Sequence, residues 1–149
     1  MGLPNLLQND ATRISLIHAC ADLIDTQVSS KGGLGGMALK AAYGVVKGIG
    51  PDYVPGAVER LLPSVLTALD PLWSEGVSTG DPAAYLQEQS TRTADSLLSV
   101  TDARIANSSN GLIKTTYQRL RQSVKGDVEA AVPGLAKILA THAVQALPQ

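Results

Sequence analysis

The spacing of apolar residues is the feature that most constrains the fold of this chain. Near the amino terminus, apolar side chains recur three or four residues apart, at Ile14, Ile17, Ala21, Ile24 and Val28. This spacing lines them up along one face of an α-helix, which turns once every ~3.6 residues. No segment keeps the alternation of apolar and polar residues that a half-buried strand requires. The sequence therefore predicts an all-α fold.

Glycine and proline residues divide the first half of the chain into separate helices. The first ten residues form an irregular lead-in, and Asp10 is placed to cap the first helix. A second helix is expected from Leu34 to Val46, because two glycines and a proline follow in Gly48-Ile49-Gly50-Pro51. Proline suits a first helical turn and breaks a helix interior. The next segment is therefore predicted to hold two short helices or one kinked helix over Val54 to Trp73, then a loop over Ser74 to Gly80.

The second half starts with a clear helix signal at Asp81-Pro82, a capping carboxylate followed by proline at the first helical position. The helix that begins there is predicted to reach Ile105. The following helix is predicted to end at Gly126, where glycine suits a C-cap. Asp127 would then cap a last helix that Pro133 kinks. In total, we expect one domain over residues 1–149, built as a bundle of about six or seven helices.

The two halves of the chain resemble each other. An offset of 78 residues matches ten of 32 positions, including Val46-Lys47-Gly48 with Val124-Lys125-Gly126. An offset of 74 residues pairs Lys40-x-x-Tyr43-x-x-x-Lys47 with Lys114-x-x-Tyr117-x-x-x-Arg121. The pattern predicts an internal duplication with repeats over residues 10–78 and 79–149. The alternative is that loop signals and helical periodicity coincide by chance.

Charge and cysteine content exclude several classes of protein. A net charge of −1 and a pI near 6.1 give no electrostatic reason to expect nucleic-acid binding. The lone Cys20 cannot form an internal disulfide, and the start of the chain lacks a signal-peptide pattern, so a cytoplasmic location is expected. The longest apolar stretch, Leu34 to Ile49, contains Lys40 and Lys47 and is too short to cross a bilayer.

No residue pattern indicates a catalytic or metal-binding site. His18 and Asp22 share a helical face, but Cys20 points away from them, and no spacing matches a zinc or di-iron centre. No serine or cysteine occupies a strand-turn-helix elbow, and no histidine is near a nucleophile on one helix. Asp102 and Arg104 fit an ion pair or a solvated face better than acid–base catalysis. We therefore predict no metal, no cofactor and no catalytic residue, and an enzyme is the least favoured reading.

Four glycines form the first candidate contact surface. Gly32, Gly36, Gly44 and Gly48 are spaced by four residues, with Lys40 filling the gap. On a helix they make a ridge of small residues against which another helix backbone can approach closely. Internal packing is the first interpretation, and a homodimer or partner-helix contact is the second.

The repeated lysine, tyrosine and arginine residues form a second candidate surface. If the duplication is real, the two sets would meet and offer a ligand- or anion-binding surface made of Lys40, Tyr43, Lys47, Lys114, Tyr117 and Arg121. The alternative is that both tyrosines pack at the core edge while the basic chains extend to water. The basic edge of the later helix, with Lys125 added, would also suit an anionic membrane surface.

Several short strings resemble a family of small all-helical bacterial proteins of unknown function. They are Ser30-Lys31-Gly32, Leu39-Lys40-x-x-Tyr43, Leu61-Leu62-Pro63, Leu69-Asp70-Pro71 and Thr101-Asp102-Ala103-Arg104. The resemblance covers nearly the whole chain from about residue 10. It implies a single all-helical domain and brings no activity, cofactor or catalytic residue.

Taken together, these patterns favour a non-catalytic helical interaction module that self-associates or binds a protein partner. The first alternative is a carrier of an apolar or lipid ligand, since alanine- and glycine-rich helices can leave a cavity. Its mouth would be lined by Tyr43, Tyr53, Trp73 and Tyr117. The second alternative is a peripheral membrane protein.

Overall fold

The computed structural model describes residues 2–145, and these residues form helices joined by short connections. No strand occurs in that range, which confirms the predicted all-α single-domain fold. A short 3-10 helix at the amino terminus, called the leading helix here, is followed by six α-helices. Their bounds are Leu3–Gln8 for the leading helix, then α1 Asp10–Ser30, α2 Gly33–Lys47, α3 Tyr53–Thr79, α4 Pro82–Glu88, α5 Ser90–Ala106 and α6 Gly111–Gln145.

Side-chain caps fix the starts of α1 and α4. The Asn9 side chain accepts a hydrogen bond from the Thr12 N–H at 3.0 Å, so Asn9 caps α1 and the predicted cap, Asp10, is already helical. Asp81 caps α4 as predicted, accepting from the Ala84 N–H at 3.0 Å. These caps satisfy N–H groups that have no partner within the helix.

Of the two alternatives predicted for Val54 to Trp73, the structure has one helix and not two short ones, and the loop predicted over Ser74 to Gly80 was wrong. α3 runs without interruption through Pro63 and Pro71 and ends only at Gly80, whose φ of +99° suits a glycine C-cap. An interior proline costs about 3 kcal/mol, and each fully buried leucine contributes about 1.5–3 kcal/mol. α3 buries a face of five large side chains across both prolines, which outweighs their cost: Leu62, Leu66, Leu69, Leu72 and Trp73.

The boundaries predicted for the second half were also wrong. The helix that starts at Pro82 ends at Glu88, and the buried Thr93 hydroxyl lies 3.2 and 2.9 Å from the carbonyls of Leu86 and Gln89 beside this break. In contrast, α6 continues through Gly126 and Pro133. The Asp127 carboxylate starts no new helix and instead forms an ion pair with Lys31, the residue that follows α1.

The leading helix belongs to the core, although its sequence suggested an irregular lead-in. Leu3 and Leu6 are buried, and the Leu3 N–H donates to the Asp70 carboxylate on α3 at 2.8 Å. Asp70 therefore joins two segments 67 residues apart in the chain.

Four helices form a ring in which each packs on two neighbours: α1 on α3 and α6, and α5 on α3 and α6. Within residues 2–145, α3 and α6 face each other across the ring without backbone contact, as do α1 and α5. The leading helix and α4 each contact both α3 and α6. They fill one part of the space between α3 and α6, and the leucine core lies there.

The structure does not show the internal duplication. The segment around Gly48 leaves α2 and enters a turn, whereas its counterpart around Gly126 lies inside α6. Likewise Pro55 lies in the first turn of α3, while Pro133 lies in the interior of α6. The matched strings therefore occupy different structural positions in the two halves.

Candidate functional site

A cavity of about 840 Å³ separates α3 from α6 in the part of the ring that α4 and the leading helix do not fill. It is partly open to solvent, and α1, α2 and α5 complete its walls. The surface is mostly apolar, with side chains from five helices such as Leu23, Leu39, Val46, Leu61, Val65, Leu97, Leu120 and Val128. Its size and lining are those of a ligand pocket.

Three of the four aromatic residues predicted at the mouth of a pocket line this cavity. Tyr43 of α2, Tyr53 of α3 and Tyr117 of α6 are half-buried along its wall. Trp73 does not line it, because it is buried within the leucine core. The fold thus brings the tyrosines of both predicted lysine-tyrosine sets to one site.

Tyr117 is held by a polar network between α5 and α6. Its hydroxyl donates to the Asp102 carboxylate and lies 2.8 Å from the Thr101 hydroxyl. Arg121 binds both oxygens of Asp102, at 2.8 and 3.0 Å, in the bidentate geometry favoured by guanidinium groups. The hydrogen bonds from Arg121 and Tyr117 lower the pKa of Asp102. Burial, followed by the hydrogen bond to Asp102, raises the pKa of Tyr117, so its hydroxyl stays protonated.

Tyr43 lies in a similar but more open setting on α2. The Lys47 ammonium is 5.2 Å from the centre of its ring and 3.5 Å from the Asp25 carboxylate on α1. Burial, followed by the Asp25 charge, raises the pKa of Tyr43. Both members of the ion pair are more than half exposed, so the pair adds less than about 1 kcal/mol to stability.

The basic members of the predicted anion surface do not line the cavity. Arg121 and Lys47 are engaged by Asp102 and Asp25, Lys40 is exposed, and Lys114 lies on α6 outside the lining. Lys125, the added member of the basic edge, pairs with Asp95 at 3.1 Å. Carboxylates of the chain therefore neutralise much of the edge on which a membrane contact by α6 would depend.

The four ridge glycines make no helix–helix contact within the described part of the chain. A Cβ placed on Gly32 or Gly44 would meet nothing within 4 Å, and Gly48 faces only the end of its own helix. Gly36 is the buried member, and its space is taken by the backbone carbonyl of Lys31 at the turn into α2. Internal packing is thus not the reason for the ridge, while contact with a second copy stays a prediction.

Charged residues in the cavity lining are few and mostly basic. They are Arg60 on α3, Arg104 on α5 and Asp127 on α6, and the last is neutralised by Lys31. The Arg60 guanidinium lies 6.0 Å from the ring centre of Tyr53. No sequence pattern marks Arg60, and Arg104 was predicted to form an ion pair or to lie on a solvated face. Nothing in their local sequence shows that both reach the same cavity.

A serine and a histidine from distant helices also meet in the fold. Ser15 Oγ of α1 is 3.0 Å from Nε2 of the buried His142 of α6, and Nδ1 of that ring is 2.7 Å from the Ile138 carbonyl. The carbonyl fixes the proton on Nδ1, so Nε2 accepts from the serine. Backbone N–H groups around Ser15 are used within α1, so they cannot form an oxyanion hole. The pair ties α1 to α6.

The cysteine and histidine that suggested a metal site point to different surroundings. Cys20 is buried and lines the cavity, and burial raises the pKa of its thiol to about 11. His18 is exposed. Across the residues that the structure describes, no three histidine, cysteine or carboxylate side chains converge on a point. In the same range, no helix has the length and apolar character to cross a membrane.

Comparison with known protein families places residues 3–143 in a family of unknown function, DUF6918. Because the match covers nearly the whole chain, the chain belongs to this family. Neither the curated proteins nor the solved structures compared with the chain gave a match.

Proposed function

We propose that this member of the DUF6918 family is a carrier that binds an apolar ligand in the cavity between α3 and α6. The observation that carries the proposal is the cavity itself, about 840 Å³ with a mostly apolar surface. Ligand pockets occupy roughly 300–1,000 Å³ and combine apolar walls with a few polar groups. Tyr43, Tyr53 and Tyr117 provide those groups here.

The energetic cost of such a space supports an occupant. The cavity is partly open, so water can enter it, and apolar surface in contact with water costs roughly 25 cal/mol per Å². The opening lets the cavity fill, and an apolar ligand suits its leucine and valine walls better than water does.

Of the helices that line the cavity, α2 is the one best suited to move and admit a ligand. α2 contributes Leu39, Tyr43 and Val46 to the cavity, yet its one buried residue is Gly36. Turns at Gly32 and Gly48 flank it. A wall with little buried surface and glycine at both ends can move without disrupting the leucine core.

Native mass spectrometry of gently purified protein, repeated after organic extraction, tests the proposal. A carrier should show extra mass that extraction removes, and the stripped protein should bind the apolar dye Nile red. Ala131→Phe projects a ring into the cavity and should weaken dye binding by about tenfold or more, since bulk in a fixed pocket excludes ligand. Ala130→Phe, on the exposed neighbour, is the matched control. Equal dye binding by both variants would refute a ligand in this cavity.

A second candidate function is self-association through the outer face of α2. Leu34 is 85 % exposed and Met37 is 67 % exposed, and both project from the helix that also carries the glycine ridge. Large contiguous apolar surface on a small protein is typical of a binding site. Met37→Glu should lower the mass measured by sedimentation at high concentration if this face pairs two copies. An unchanged monomer mass in the parent protein would exclude this candidate.

The proposed location is the cytoplasm. The lone Cys20 supports it, because a buried free thiol without a disulfide partner fits a reducing compartment.

A further inference from the structure

We infer that the ligand of the cavity is an anionic amphiphile, an apolar chain that ends in a carboxylate or a phosphate. This inference rests on the proposed carrier function and adds the chemical class of the ligand. Its basis is the unbalanced charge of the cavity lining. The lining contains two guanidinium groups, those of Arg60 and Arg104, and one carboxylate, that of Asp127. Lys31 already neutralises the charge of Asp127.

The contrast with three of the four other arginines supports this reading. Arg13, Arg92 and Arg121 each pair with a carboxylate, at 3.2, 3.1 and 2.8 Å respectively, while Arg119 is exposed on α6 outside the cavity and pairs with no described carboxylate. In the described part of the chain, Arg60 and Arg104 have no such partner, although α3 and α5, which carry them, pack on each other. The cavity thus offers positive charge that the protein itself does not balance.

The chemistry of the guanidinium group indicates the head group of the ligand. A guanidinium binds carboxylate and phosphate oxygens through two parallel N–H groups, and an anion at the edge of an apolar cavity is only partly hydrated. Both arginines are exposed, so the acid group would lie at the solvent-facing rim while the chain fills the space between α3 and α6. A cationic amphiphile would be repelled there. A neutral one would leave the arginines unpaired.

Calorimetric titration of the stripped full-length protein with four ligands of equal chain length tests the inference. The ligands are laurate, dodecyl phosphate, dodecanol and dodecylamine, each below its micellar concentration. We expect one or both acids to bind at least about tenfold more tightly than the alcohol, the usual value of a charge-assisted contact. The tighter of the two acids identifies the head group. Dodecylamine should bind most weakly.

The variants Arg60→Gln and Arg104→Gln, singly and combined, locate the acid. Each should weaken binding of the preferred acid by about threefold to tenfold and leave dodecanol binding within about twofold, because only the acid uses the charge. Arg119→Gln, an exposed arginine of α6 outside the lining, is the matched control. Circular dichroism checks that all variants are folded.

The outcomes separate the two proposals. If the parent protein binds dodecanol as tightly as the acids, or if Arg60→Gln and Arg104→Gln weaken both equally, the anionic head group is refuted and the apolar carrier stands. If none of the four ligands binds, the carrier proposal falls together with the inference.

Discussion

The ring of four helices is filled in one part and hollow in another, although α3 borders both. In the filled part, Leu69 and Leu72 of α3 belong to the leucine core, and both are almost wholly buried. In the hollow part, Leu61 of the same helix is half-buried beside the cavity. Leucine-rich sequence alone therefore does not ensure a packed core.

The difference comes from two short helices. The leading helix and α4 each touch both α3 and α6, so they occupy the space that otherwise separates these helices. No corresponding segment enters the ring between α2 and the first turns of α6 in the described structure. A ring of long helices encloses a cavity wherever no inserted element fills it, because each helix can bury only the face turned toward its neighbours.

The largest expected effect is a difference between two leucine truncations on α3. Leu69→Ala should lower the free energy of unfolding by about 3 kcal/mol, because it leaves a void among close-packed neighbours. Leu61→Ala should cost less than about 1 kcal/mol, because that side chain already borders open space. Urea unfolding followed by circular dichroism measures both values. Equal losses would mean that the cavity collapses in solution.

Thiol reactivity is the next largest expected effect, and it probes the boundary between the two regions. Cys20 belongs to the leucine core and also lines the cavity, and burial raises the pKa of its thiol from 9.0 to about 11. The raised pKa makes the thiolate fraction of Cys20 at mildly alkaline pH about a hundredfold smaller than in the unfolded chain. The thiolate is the form that reacts with alkylating reagents. Iodoacetamide should label the folded protein about a hundredfold more slowly than the urea-unfolded chain. The rate should rise with pH up to the raised pKa.

A bound ligand should slow this labelling further, since it occupies the space beside the sulfur. Labelling that is equally fast before and after unfolding would contradict the burial of Cys20. Labelling that is unchanged by a bound apolar ligand would place that ligand elsewhere.

The smallest expected effect compares two glycines of α2. Gly44→Ala should raise the free energy of unfolding by about 0.5–1 kcal/mol, because alanine favours the helix and the added Cβ meets open space. Gly36→Ala should lower it, because the added Cβ would collide with the Lys31 carbonyl. Thermal unfolding measures both changes. A reversed order would mean that α2 packs differently, while a concentration-dependent penalty at Gly44 would indicate contact with a second copy.

Local sequence signals predicted the elements far better than their ends. The spacing of apolar residues by three or four positions and the Asp81 cap both depend on residues close together in the chain. The all-α fold and the start of α4 could therefore be predicted from the sequence. The ends predicted at Trp73 and Gly126 were wrong because distant partners stabilise helix there. Leu69 and Trp73 are buried in the leucine core, and Asp127 pairs with Lys31, the residue that follows α1. Propensity is a weak effect beside such burial.

The candidate site was predictable in its parts and not in its assembly. Tyr43 and Tyr117 were singled out by their repeated pattern, and they do meet at one cavity. One of the two interpretations made their basic neighbours available for an anion, but Asp25 and Asp102 engage Lys47 and Arg121. Arg60 and Arg104 carry no sequence signature, because their role depends on which carboxylates lie nearby.

The sequence by itself determined that this chain is helical and forms one domain, since helical periodicity depends on residues close together in the chain. Only the tertiary structure decided that the leading helix joins the core and that α3 and α6 stay apart. It also decided that two arginines border the cavity with no carboxylate partner among the residues that the structure describes. These outcomes depend on contacts between residues far apart in the chain. Packing selects such contacts by burial and charge over the whole molecule.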